Sequence, residues 1–89
     1  MKTTYIRREF ENYWQEHYYF KVVEVSPEVT KVVGIIGSDL NIDEHEEYNE
    51  AVSFVVNKLC NNRFSIIDRK TFDTKYKEYV SQLNELASY

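Results

Sequence analysis

The sequence predicts a small two-layer α+β domain in which a three-stranded sheet packs against helices, in the order α-β-β-α-β-α. Three observations lead there. Two stretches rich in β-branched and aromatic residues, 18–25 and 29–36, flank the turn signal Ser26-Pro27-Glu28. Apolar residues recur at helical spacing near the amino terminus, through the middle and at the carboxyl end. Three strands cannot bury their own faces, so helices have to cover at least one. At 89 residues, with 43% hydrophobic and 29% charged side chains, the chain reads as a single domain over 1–89 with one core.

The elements follow in order. Ile6, Phe10, Tyr13, Trp14 and His17 are spaced as one buried helical stripe, which predicts a helix over about 4–17 with Thr3 or Thr4 as N-cap. Residues 18–25 and 29–36 then form an antiparallel hairpin, because Pro27 presets the backbone for a turn. Asn41 followed by Glu44 resembles a capping box, and Tyr48, Ala51, Val52, Val55 and Leu59 recur behind it. That pattern predicts a helix over about 42–60 ended by Asn61-Asn62, although Val52-Ser53-Phe54-Val55-Val56 alone also suits a strand. Residues 63–68 read as the third strand. Phe72, Tyr76, Tyr79, Val80, Leu83 and Leu86 predict a last helix over about 72–87, with Thr71 as N-cap. If the second and third strands are parallel neighbours, their crossover is right-handed.

The formal net charge is −4, but its location is more informative than its sum. Residues 1–38 balance five cations with five anions, residues 51–89 carry a net +2, and the dodecamer 39–50 carries −6 from Asp39, Asp43, Glu44, Glu46, Glu47 and Glu50. Asp39, Asn41, Asp43, His45, Glu47 and Glu50 fall on the oxygen-ligand positions of a Ca²⁺-binding EF-hand loop. Glu44 stands where that loop needs Gly, and the preceding VVGIIGS reads as a strand instead of an entering helix. A helical start fits better, so no metal and no cofactor is expected. On a helix, Asp43 and Glu44 gain from the dipole at its start, while Asp43/Glu47, Glu46/Glu50 and Glu47/Glu50 repel at about 0.2–0.5 kcal/mol each. The cluster is therefore no device for helix stability. It reads either as a solvated face or as an anionic surface for a basic partner.

Aromatic residues are the second feature. Seven of the 14 fall within the first 20 positions, including the adjacent pair Tyr18 and Tyr19. A small core cannot hide them all, and exposed Tyr is a common interface anchor. Direct nucleic-acid binding through Arg7, Arg8, Arg69 and Lys70 is disfavoured by interleaved acids and a sequence pI near 5.1. His45 lacks a sequence neighbour for a metal pair, His17 belongs to the apolar stripe, and Cys60 is alone. No phosphate loop, nucleophile elbow or zinc motif occurs, so no enzymatic activity is expected.

These features together predict a non-enzymatic protein-interaction module, in its most concrete form a small acidic inhibitor of a nucleic-acid-binding partner. It would meet a basic surface through Asp39, Asp43, Glu44, Glu46, Glu47, Glu50, Tyr18 and Tyr19. The alternatives are a direct nucleic-acid binder and a homodimer joined along an open sheet edge. A lone cysteine, no long apolar run and a charged amino-terminal segment predict a cytoplasmic, non-membrane setting.

Overall fold

The computed structural model describes residues 2–8, 18–37, 39–59 and 64–87, with the side chains of 82–87 outside that description. Its elements run β1 (Thr3–Arg8), β2 (Tyr18–Ser26), β3 (Val29–Ile36), β4 (Asp39–His45), α1 (Tyr48–Lys58), β5 (Phe64–Ile67) and α2 (Arg69–Ala87). The five strands form one antiparallel sheet in the order β4-β3-β2-β1-β5. The expected three-stranded sheet and the order α-β-β-α-β-α are thus both replaced, by five strands in the order β-β-β-β-α-β-α.

The β2–β3 hairpin forms as the sequence predicts, with Pro27 and Glu28 in its turn and Val25 as the extra residue of a bulge between Glu24 and Ser26. The first helix does not form over 4–8. Those residues pair with β2 through Ile6↔Phe20 and with β5 through Ile6↔Ile66. Two sets of ladder bonds outweigh a helical stripe whose remaining members, Phe10, Tyr13, Trp14 and His17, lie outside the described residues. The second helix begins later than predicted. Only two residues separate Ile36 from its partner Asp39, with Gly37 at φ 61. A tight link of this length returns the chain as a strand, so 39–45 pairs with β3 and α1 starts at Tyr48. The Asn61-Asn62 stop lies outside the described residues.

Strand alternation assigns the two faces. Ile6, Phe20, Val22 and Val32 share one face and are closed over by Ala51 and Val55 of α1 and by its C-cap residue Leu59, forming the buried core. Tyr48 extends this contact by a hydrogen bond between its hydroxyl and that of Thr4. On the opposite face Phe72 of α2 is buried, with its ring centroid 5.5 Å from that of Tyr5. Helices therefore lie on both faces, where two layers were expected. The condition set for a right-handed crossover is not met: β5 lies antiparallel beside β1, two strands away from β3.

Gly34 sits directly across from Phe20. A Cβ at this position would lie 2.8 Å from Phe20 Cε1 and 3.0 Å from Cδ1, and the ring is fully buried. Gly34→Ala is expected to cost about 1–3 kcal/mol through overpacking, read as a lower urea midpoint at unchanged m-value. An unmoved midpoint would mean that the ring yields freely.

The carboxyl-terminal helix is capped one turn earlier than predicted. The Thr71 N–H donates to Asp68 Oδ1 at 2.8 Å, which makes Asp68 the N-cap and Thr71 the third residue of the first turn. Hydrogen bonds from the Thr71 side chain and N–H, with Lys70 beside them, hold the Asp68 carboxyl below its ordinary value of 3.8. A folded-state value below the unfolded one stabilises fully above pH 3.8, and that contribution is lost as pH falls through the lower folded value. Asp68→Ala should lower the thermal midpoint at pH 7, and the gap to wild type should close in more acidic solution. A gap independent of pH would contradict the cap.

Candidate acidic interface

The structure separates the eight residues expected to form one interface. Tyr18 and Tyr19 point to opposite faces of β2 and are half-buried. The Arg8 guanidinium lies 4.0 Å from the Tyr18 ring centroid, and that ring meets Phe20 edge-on. Lys75 Nζ of α2 lies 5.6 Å from the Tyr19 ring centroid. Each tyrosine is thus engaged within the domain, on a different side of the sheet.

The six acids are not a helix start. Asp39, Asp43 and Glu44 belong to β4, an edge strand, with Asp39 and Asp43 on the α1 face and Glu44 on the other. Four residues of strand separate Asp39 from Asp43 by roughly 13 Å, so the close spacing of a helical face is lost. An extended strand also cannot wrap a cation as an EF-hand loop does. Among the described residues, no group of three or more His, Cys, Asp and Glu is placed to hold a metal ion. Glu44 lies directly across from Lys31 and forms an ion pair with it at 3.7 Å. Both side chains are well exposed, so this pair contributes little to stability.

Glu46 and Glu47 form the bend between β4 and α1, and Glu47 is the N-cap residue without a side-chain capping bond. Glu50 lies in the first helical turn, where the dipole favours an anion. Asp43 and Glu44, expected in that role, lie outside the helix. His45 ends β4 with its ring 4.8 Å from that of Phe54, so it packs under α1 instead of sitting among the carboxylates.

One acid joins the group that the sequence reading did not include. Glu28, in the β2–β3 turn, lines an open groove of about 490 Å³ together with Pro27, Val29, Glu46 and Glu47. The antiparallel register explains this. Thr30 faces His45, so the turn preceding Thr30 and the bend following His45 emerge at the same end of the sheet. The Gly37-Ser38 link and the alternation Leu40-Asn41-Ile42-Asp43 were the available signals for that register.

The cations proposed for direct nucleic-acid contact are dispersed. Arg8 is buried on the core face, Arg7 points to the other, and Arg69 pairs with Asp73 at 3.3 Å. Lys70 lines two shallow surface depressions on α2, one with Tyr19 and Lys75 and one with Arg69 and Lys77. Lys75 in turn pairs with Glu78 at 3.5 Å. Among the described residues, no helix is long and apolar enough to cross a membrane. No family model, no curated protein and no solved structure matches this chain.

Proposed function

We propose that this chain is a non-enzymatic protein-interaction module whose acidic end docks on a basic surface of a partner protein. A small inhibitor that occupies a partner's nucleic-acid-binding groove is its most concrete form. The observation that carries this reading is the meeting of Glu28 with Glu46 and Glu47 in one groove. Two chain segments distant in sequence contribute carboxylates to one place, and among the described residues no Lys or Arg lines it. Like charges held together on a surface are an electrostatic cost to the free protein that a cationic partner removes. Asp39 and Asp43 continue the anionic surface along β4. The lone Cys60 fits a reducing cytoplasmic setting. Tyr18 and Tyr19 drop out of the proposed contact surface, since each is held by a cation of the domain itself.

Direct nucleic-acid binding has weaker support, because Arg69 and Lys75 are each engaged by a neighbouring acid on α2. Joining Glu46→Lys with Glu47→Lys should abolish partner capture from the native host while far-UV circular dichroism stays unchanged, and Glu28→Lys should weaken it. Wild-type capture should also fall as salt rises, since the screening length shrinks from about 30 Å at 0.01 M to about 3 Å at 1 M. Undiminished capture by the double variant sinks the reading.

A further inference from the structure

The outer edge of β4 is the largest unused hydrogen-bonding surface among the described residues. β4 pairs with β3 over seven consecutive positions without a register shift, and among the described residues no strand pairs with its other side. An edge strand of this length directs alternate N–H and C=O groups outward. Proteins commonly block such an edge with Pro, Lys, a bulge or a covering segment. β4 carries no Pro, no Lys and no bulge, and α1 lies over its face instead of its edge. Its only charges are the acids Asp39, Asp43 and Glu44, with His45 at its end.

Those side chains select the occupant. A second copy paired through the same edge would set two rows of carboxylates beside each other, and like charges across a strand pair are destabilising. A cationic strand meets the opposite situation. On the α1 face β4 presents Asp39, Asn41 and Asp43, which call for Lys or Arg on the neighbouring strand. On the other face it presents Leu40 and Ile42, with Glu44 at the end of the row already paired with Lys31, and Ile42 is 62% exposed. That face calls for Val or Ile, which cover apolar area and suit a strand.

We propose that β4 takes up an extended segment of a partner protein as a sixth strand, and that this segment alternates basic and β-branched residues. Backbone hydrogen bonds then supply affinity, while the two faces supply selectivity. The proposal rests on the acidic end being the partner-facing end, and it adds where and in what conformation the partner binds.

The test uses the full chain and three capped seven-residue peptides. The first alternates Lys and Val, the second carries the same side chains with every second backbone nitrogen methylated, and the third alternates Glu and Val. The Lys/Val peptide should bind, and amide exchange of Leu40–Glu44 should slow on binding. Methylation should weaken binding by about tenfold or more, because it removes the donors an added strand needs. The Glu/Val peptide should not bind. Equal binding of the methylated and parent peptides, or protection away from β4, overturns strand addition. If no peptide binds yet Glu46→Lys with Glu47→Lys still abolishes capture of the native partner, strand addition fails and the acidic-interface reading stands. If the free chain self-associates in sedimentation and Asp43→Lys strengthens that association, the edge belongs to a second copy and the proposal is overturned.

Discussion

Closure of one sheet face by α1 is the contact on which the rest of the molecule depends. Ala51, Val55 and Leu59 are fully buried against Ile6, Phe20, Val22 and Val32, residues drawn from three different strands. The sheet order places the strand before α1 at one edge and the strand after it at the other. Four strand spacings separate those edges, roughly 19 Å, and eleven helical residues span roughly 16 Å. The helix alone falls about 3 Å short of that separation, so its length does not by itself carry the chain from one edge to the other. Without β5 the strand β1 would lose one of its two partners. The side chains of Phe64 and Ile66, 43% and 66% exposed, stand on the same face of β5 that α1 covers farther along the sheet.

The opposite face is built on different terms. Phe72 is buried against Tyr5, and Lys75 reaches Tyr19, so α2 is held by aromatic contacts near the β5 side of the sheet. Strand alternation is what divides the aromatic residues between the two helices. Tyr18 and Tyr19 are neighbours in sequence but work on opposite faces, one under Arg8 and one under Lys75. In a strand, adjacency in sequence separates side chains instead of grouping them.

The same alternation explains which parts of the fold were legible in the sequence. The β2–β3 hairpin was, because β-branched runs, Pro27 and the antiparallel return all point one way. β5 and α2 were also readable, and the error at the α2 cap was a choice between Thr71 and Asp68. β1 was hidden by Arg8. A buried guanidinium stacked on Tyr18 occupies a core-facing position, so the period-two pattern of Thr4, Ile6 and Arg8 does not look apolar. β4 was concealed by competition between local and tertiary signals. Asn41 with Glu44 carries a helix-start signature, yet seven paired positions with β3 outweigh a cap worth about 1 kcal/mol. Misreading β4 as helix also hid the place of Glu28, since only strand pairing brings the two turns to one end.

The fold divides the linear −6 segment among unlike environments, and this division decides which charges the domain itself compensates. Glu44 is neutralised in part by Lys31 across the ladder. Glu50 is favoured by the start of α1. Asp39 and Asp43 lie along an open edge, and Glu46 and Glu47 share a groove with Glu28. The charges that the domain itself leaves least compensated are those of the edge and the groove, which are contiguous through the end of β4. Acidity on an exposed strand has a second consequence. It opposes pairing between copies of the chain, and it leaves the same edge open to a strand of opposite charge. Under the proposed strand addition, one set of carboxylates would both keep copies apart and select the added strand, and the sign of the edge would then matter more than the net charge of the chain.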